Sequence, residues 1–402
     1  GMIRVLIADD SAFMRKVLSD LFVKQADFEV VGTAMNGKDA ITKVKKLKPD
    51  LLTMDVNMPV MDGLTALAVI MEESPIPVIM ISSLTHEGTE ATIRALSLGA
   101  IDFISKTGGS ISRIDTIEDE ILTKCRNAAK ANVHKIVSSV AKIPTPIAPA
   151  RPVIKHVELP IRHGYKPPEK KNIVTSSRPS KAALFTKPSN PLLRQKQHKL
   201  VPKSVTPAAS VNPGKKLVAI GTSTGGPQAL QNVITRLPAD LPCGVVVVQH
   251  MPAGFTKALA DRLNNISKVI VKEAEDDDVI KAGHVYIAPG SYHMRIKDEG
   301  ALRRIKLGQD PPVGNHRPAV NVMYDSVASL GSKLVAVIMT GMGCDGLDGM
   351  KKIKAAGGFS IAQDEATCVV YGMPKAVVDA GLADEICPIQ DIARAIVTAV
   401  KR

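Results

Sequence analysis

The chain has 402 residues, 45% of them hydrophobic and 3% aromatic, with a formal net charge of +13. That length exceeds one typical domain and the apolar content suffices for ordinary buried cores, so two domains are expected. No apolar run approaches membrane-spanning length and no N-terminal signal segment stands out, so a soluble, cytoplasmic protein without membrane insertion is expected, with Gly1 before Met2 reading as a cloning scar. The five cysteines, Cys125, Cys243, Cys344, Cys368 and Cys387, are scattered and never spaced C-x-x-C. This argues against a zinc site and a disulfide framework, leaving reduced and mostly buried thiols.

The positive charge is local. Residues 134–216 hold 17 of the 52 Lys and Arg residues against only Glu158 and Glu169, a surplus of 15, so the rest of the chain sums to −2. The same segment carries 13 of the 27 prolines. A stretch so poor in aromatics and periodicity cannot bury enough apolar surface to offset its ordering entropy, so a disordered linker is expected over residues 131–213. Neither flanking part is basic and no helix-turn-helix pattern appears, which argues against nucleic acid as a partner.

Before the linker, over residues 2–130, strand and helix patterns alternate. IRVLIA precedes a helix from about Ala12 to Gln25, EVVGTA one over Gly37–Lys46, DLLTMD one over Gly63–Glu73, PVIMIS one over Thr89–Leu98, and DFIS one over Ile114–Ala129. Five such units make a doubly wound parallel sheet whose chemistry should lie at the strand C-termini. Asp9, Asp10, Asp55, Ser82 and Lys106 stand there. Singly, Asp10 or Ser11 reads as a helix N-cap, Ser82 as a turn residue and Lys106 as a solvated charge. Together they describe a magnesium site beside a phosphate acceptor, with carboxylates for a hard cation and a hydroxyl and an ammonium for phosphoryl oxygens.

This combination resembles the receiver domain of two-component response regulators. The resemblance implies a flavodoxin-like fold and Asp55 as the phosphorylated residue. It further implies Mg²⁺ held by side-chain oxygens of Asp10 and Asp55, by Asp9 largely through water, and by the backbone carbonyl of Asn57. Ser82 and Lys106 would carry the switch, and a histidine kinase would supply the phosphoryl group.

After the linker, residues 214–402 open on KKLVAIGTSTGGPQAL. A short apolar strand, Leu217–Ile220, meets a small-residue turn, and Pro227 starts an apolar-periodic helix to Leu237. Such a turn aims backbone N–H groups and a helix dipole at one spot, suiting a phosphate or an oxyanion. A P-loop would need Lys and Ser or Thr where Pro227 and Gln228 stand. A dinucleotide fingerprint would want glycine at Ser223 and an acidic residue where the next strand ends in His250. Gly221-Thr222-Ser223-Thr224-Gly225 does fit G-x-S-x-G, a serine nucleophile on a tight turn, although the pattern alone is also that of an ordinary small-residue turn.

Two further strands, Gly244–Gln249 and Lys333–Met339, end at His250 and in a glycine-rich loop containing Asp345. Strand C-termini share one edge of a parallel sheet, so Ser223, His250 and Asp345 should converge. Their chain order differs from that of α/β-hydrolases, so convergence on a triad is the better inference than membership of that fold. The acidic run Glu273, Glu275, Asp276, Asp277 and Asp278 reads as a solvated loop, since it lacks an EF-hand's alternation and glycine. Of His284, His293 and His316, only His316, beside Arg317, stands where it would meet substrate. Cys344 reads as inert packing next to Asp345.

The blocks IGTSTGGPQAL, VVVQHMPAGFTKALADRLN, AGHVYIAPGSYHM, NHRPAVNVMYDSVA, MTGMGCDGLDGM and QDEATCVVYGMPKAVVDAG resemble the catalytic domain of the chemotaxis protein-glutamate methylesterase family, CheB. The resemblance implies a Rossmann-like three-layer fold without a cofactor at the esterase site, Ser223 as nucleophile, His250 as its base and Asp345 as the residue orienting the imidazole. Backbone N–H groups near Thr224 and Met342 would hold the oxyanion. The partners implied are methyl-accepting chemoreceptor cytoplasmic domains as substrate and a chemotaxis histidine kinase as phosphodonor, acting on a monomeric α/β enzyme. In that family the unphosphorylated receiver obstructs the catalytic domain. A tether of about 80 residues spans roughly 50 Å and lowers effective concentration, so shallow repression is expected here. A nucleotide-binding output domain and a phospho-dependent adaptor with a vestigial esterase site remain alternatives, separable by labelling of Ser223 with a fluorophosphonate.

Overall fold

The computed structural model describes residues 1–106, 114–134, 136 and 216–402; apart from residues 131–134 and 136, the linker expected to be disordered lies outside the described residues.

The N-terminal part alternates β1 (Ile3–Ala8), α1 (Ala12–Val23), β2 (Phe28–Ala34), α2 (Gly37–Leu47), β3 (Leu51–Asp55), α3 (Gly63–Glu73), β4 (Val78–Ser83), α4 (His86–Leu98), β5 (Asp102–Lys106) and α5 (Ile114–Ala129). The strands pair in parallel in the order β2-β1-β3-β4-β5. Val5, Leu6 and Ile7 are all fully buried because helices cover both sheet faces, and this is why β1 reads as a continuous apolar run rather than an alternation. Full burial of each such side chain contributes roughly 1.5–3 kcal/mol. Side-chain caps start the first four helices: Ser11, Asn36, Asp62 and Thr85 each accept a backbone N–H from the first turn. The Thr85 cap starts α4 three residues earlier than the apolar pattern predicts, since Thr85 Oγ1 accepts from Gly88 N at 3.1 Å.

The C-terminal part runs β6 (Leu217–Thr222), α6 (Gly226–Ile234), β7 (Gly244–Gln249), α7 (Phe255–Ile266), β8 (Ile270–Glu273), β9 (His284–Ile287), β10 (His293–Asp298), β11 (Arg303–Gly308), α8 (Val320–Val327), β12 (Leu334–Ile338), α9 (Leu347–Ala355), β13 (Phe359–Gln363), α10 (Met373–Asp379), β14 (Glu385–Cys387) and α11 (Ile389–Val400). Seven strands form a parallel sheet in the order β14-β13-β12-β6-β7-β9-β8, and β10 and β11 form an antiparallel hairpin beside it. The order reverses between β6 and β12, which opens a crevice at their C-terminal ends. The fold class is therefore the expected one, two doubly wound parallel sheets.

The acidic run after β8 is not simply a solvated loop. Asp278 pairs with Lys272 at 3.0 Å, Asp276 Oδ1 accepts from Leu307 N at 2.9 Å, and Asp277 pairs with Lys306, so the run fastens the main sheet to the hairpin.

The two parts meet through α4, which packs against α6 and α7. Phe103 lies on Phe255 with ring centroids 4.4 Å apart, Gln228 Nε2 donates to Ala100 O at 3.1 Å, and Arg262 Nε donates to Ser97 Oγ at 2.8 Å. Among the described residues, no helix is long and apolar enough to cross a membrane.

Candidate active site and receiver centre

Ser223 stands on the turn between β6 and α6. Gly225 holds a left-handed φ of 78° at the start of α6, no side chain caps this helix, and Gly226 N donates back to Ser223 O at 2.7 Å, which closes the turn. Thr222 Oγ1 donates to Thr340 O at 2.7 Å, Ser223 N donates to Thr340 O at 3.0 Å, and Gln249 Nε2 donates to Ser223 O at 2.9 Å. Gly341 lies against the turn so closely that a Cβ there would sit 2.8 Å from Ser223 Cβ, so only glycine permits this approach. Thr224 and Met342 flank the serine from two loops, and among the described residues neither N–H has an acceptor.

His250 ends β7, and its Nε2 lies 2.6 Å from Asp345 Oδ2, with both side chains nearly buried. Asp345 also accepts from Val320 N at 2.7 Å and from Asn321 N at 2.9 Å, at the start of α8. Burial pushes the Asp345 carboxyl up, but His250 and these two N–H groups outweigh it and hold the group below the usual carboxylate range. Since Nε2 faces a carboxylate, Nε2 carries the proton and Nδ1 carries the lone pair. That Nδ1 is buried without a hydrogen-bond partner, the condition of a base awaiting its proton.

His316 stacks on His250 with centroids 3.7 Å apart and planes 6° from parallel. Burial, and next to it the neighbouring His250 imidazole, hold His316 down at about 4, so at neutral pH it is an uncharged plate against that ring. Arg317 turns away, donating to the carbonyls of Gln309 and Asp310 at 3.1 and 3.2 Å. His284 and His293 bond backbone carbonyls of Ala282 and Pro311, each at 2.9 Å. Cys344 is exposed rather than packed, while Cys125, Cys243 and Cys387 are buried as expected.

At the other sheet edge, ligand atoms of Asp9, Asp10 and Asp55 lie within 4.8 Å of one another. Lys106 Nζ reaches Asp55 Oδ2 at 2.8 Å and Asp9 Oδ2 at 3.5 Å. Burial works against the ammonium, yet the two carboxylates outweigh it and raise its pKa. Asp9 is fully buried, and burial followed by its acidic neighbours raises its pKa against the Ser11 N–H that lowers it. Its Oδ2 accepts no hydrogen bond, so the cluster fits a divalent cation that would satisfy that oxygen. Asn57 N donates to Asp55 Oδ1 at 3.2 Å. Ser82 is buried, and its Oγ donates toward Ser83 O at 3.0 Å and Gly88 O at 3.1 Å.

A family model described as CheB methylesterase matches residues 218–396, and one described as response regulator receiver domain matches residues 5–117. A protein-glutamate methylesterase/protein-glutamine glutaminase of Symbiobacterium thermophilum is 45% identical over 400 residues, 99% of this chain and 97% of its own. One of Lawsonia intracellularis is 41% identical over 99% of each chain. The chain belongs to the protein-glutamate methylesterase/protein-glutamine glutaminase family. The crystal structure of the Thermotoga maritima CheB methylesterase catalytic domain is 47% identical, covers 46% of this chain and all of its own, and superposes with a TM-score of 0.46.

Within the methylesterase domain, sequence reasoning passed over Thr340 and Gln249, which buttress the Ser223 turn. A polar residue buried at a strand end is a signal for such a role, since it must find a partner. It also passed over two receiver residues at the serine's flanks: Asp102 Oδ2 accepts from Thr224 Oγ1 at 3.4 Å, and Asn127 contacts Met342 Sδ.

Proposed function

We propose that this chain is a phosphorylation-controlled serine hydrolase acting on glutamyl methyl esters, and on glutamine side chains, of chemoreceptor cytoplasmic domains during adaptation in chemotaxis signalling. On this reading it is a monomeric cytoplasmic enzyme, with a receiver over residues 2–130 and a methylesterase domain over 214–402. The observation that carries the reading is His250 held by Asp345 at 2.6 Å, with a free, buried Nδ1, at the sheet edge that bears Ser223.

Ser223 Oγ attacks the γ-carbonyl of the ester while His250 Nδ1 takes its proton, and Asp345 steadies the imidazolium through Nε2–H. The oxyanion lies against the N–H groups of Thr224 and Met342, which need no reorganisation because they serve no other acceptor. Protonated Nδ1 then gives its proton to the departing methoxide oxygen, so methanol leaves and an acyl-enzyme remains. Water attacks the acyl-enzyme, gives its proton to Nδ1, and the collapsing intermediate returns Ser223 and yields glutamate. Glutamine follows the same course with ammonia as the leaving group. His316 is a positioning residue in this reading, a neutral plate that fixes the plane of the His250 ring.

In the receiver, Asp55 accepts the phosphoryl group from a chemotaxis histidine kinase. Asp10, Asp55 and the Asn57 carbonyl, with Asp9 largely through water, would hold Mg²⁺, which would offset the negative charge of the carboxylates and the incoming phosphoryl group. Lys106 and Ser82 meet the phosphoryl oxygens, for which Lys106 must shift from its Asp55 contact and Ser82 from its backbone acceptors. Repression of the unphosphorylated chain is supported by the Asp102–Thr224 and Asn127–Met342 contacts, which set receiver residues against both oxyanion donors' residues. Lys106 and Asp102 share β5, so displacement of one end of that strand can reach the other. Methanol release from methylated receptor membranes, with and without a small phosphodonor and Mg²⁺, tests the reading. Release that is absent under both conditions, or unchanged by the phosphodonor, overturns its catalytic or its regulatory half.

A further inference from the structure

A cavity of about 580 Å³ opens between α4 of the receiver and α7 of the methylesterase domain. Its floor is apolar, with Ile93 and Ala258, and Arg94 and Arg262 line it from opposite domains. The cleft also holds two carboxylates: Asp261 pairs with Lys257 at 2.6 Å, and Glu90 lies 3.5 Å from His86, each within its own helix. Among the described residues, neither arginine forms an ion pair with a carboxylate. Arg262 spends Nε on Ser97 Oγ at 2.8 Å and keeps its terminal N–H groups, while Arg94 has no partner among the described residues. Burial, and next to it the charge of Arg94, push the Arg262 pKa down.

Two guanidiniums in one cleft repel each other in the docked state unless an anion joins them. Their planar forks match tetrahedral phosphate oxygens, and the cavity falls in the size range of small-ligand sites. We propose that this cleft binds a small phosphate-bearing anion gripped by Arg94 from the receiver and Arg262 from the methylesterase domain, so that the ligand holds the two domains together. By linkage, such an anion favours the docked state, and phosphorylation of Asp55 weakens its binding by the same factor. The binding claim stands alone, whereas its effect on turnover rests on the obstruction reading given above.

Inorganic pyrophosphate, titrated calorimetrically into the full chain in metal-free buffer at fixed ionic strength, tests the site without engaging the Asp55 centre. Saturable binding to one site is expected, weakened at least tenfold in Arg94→Ala and in Arg262→Ala, since each removes a charge-assisted pair. Lys45→Ala, a cation on α2 paired with Glu73, should leave affinity unchanged. Arg94 is exposed, so its removal does not depend on core packing. Absence of saturable binding in the wild type, or equal affinity in Arg94→Ala and Lys45→Ala, overturns the proposal. If binding behaves as expected but pyrophosphate leaves methanol release by the unphosphorylated chain unchanged, the obstruction reading fails and the site stands.

Discussion

Asp345 and Asp9 are both buried carboxylates at the C-terminal edge of a parallel sheet, yet they are prepared for opposite tasks. Asp345 accepts from His250, Val320 N and Asn321 N, so its charge is solvated by the protein and its pKa falls. Asp9 has one oxygen without a hydrogen-bond partner, and burial, followed by its two acidic neighbours, raises its pKa. The first carboxylate finds its hydrogen-bond partners within the folded chain. The second leaves a buried oxygen without a hydrogen-bond partner, a place that a bound cation would fill. Burial alone distinguishes neither role; the inventory of donors around each carboxylate does.

The contrast can be broken most severely at the nucleophile. Ser223→Ala is expected to abolish methanol release while leaving phosphorylation of the receiver intact, and near-normal turnover would remove Ser223 from its role. Asp345→Asn should lower kcat by about 10⁴-fold, because the amide presents the wrong partner to His250 Nε2. Its thermal unfolding should remain cooperative, which circular dichroism can check. In the receiver, Asp55→Ala should incorporate no label from a small phosphodonor with Mg²⁺, and persistent labelling would place the acceptor elsewhere. A smaller effect is expected at the interface. Gln228→Ala loses one hydrogen bond to Ala100 O, a net term of about 1 kcal/mol, which would raise basal methanol release of the unphosphorylated chain at most about fivefold.

The smallest effect concerns His316 and acid stability. Its folded pKa of about 4 lies below the unfolded value of 6.5, so its unfolded form binds the proton first. The stability it supports is fully present above pH 6.5 and is lost as pH falls from there toward 4. His316→Phe keeps a ring against His250 without a titrating group, so denaturant midpoints should fall less steeply across that window than in the wild type. An identical slope in both proteins would show that His316 does not titrate there.

The parallel-sheet class and the strands that carry the site were legible because strands covered on both faces are continuous apolar runs, as Leu217–Ile220 and Gly244–Gln249 are. Residue types at strand ends were legible too, since a small-residue turn, a histidine and an aspartate on one sheet edge have few joint uses. The start of α4 was missed because a cap, not apolar periodicity, begins that helix. The acidic run is largely exposed, as expected, but its pairings were not legible because the partners, Lys306 and Leu307 N, arrive from a hairpin that local pattern does not tie to it.

What the sequence by itself determined is local: which segments must be buried, where the chain turns tightly, and which chemical groups the turns display. What only the tertiary structure decided is non-local. The strand order sets β6 between β12 and β7, which brings Asp345 to His250 across 95 positions of chain and leaves Nδ1, not Nε2, without a hydrogen-bond partner. The stacking of His316, the reach of Asp102 to Thr224 across 122 positions, and the placing of Arg94 and Arg262 along one cavity are likewise set by packing. Such contacts join residues whose local sequences carry no trace of one another, because burial and shape complementarity between whole elements, rather than the propensity of any one, choose the partners.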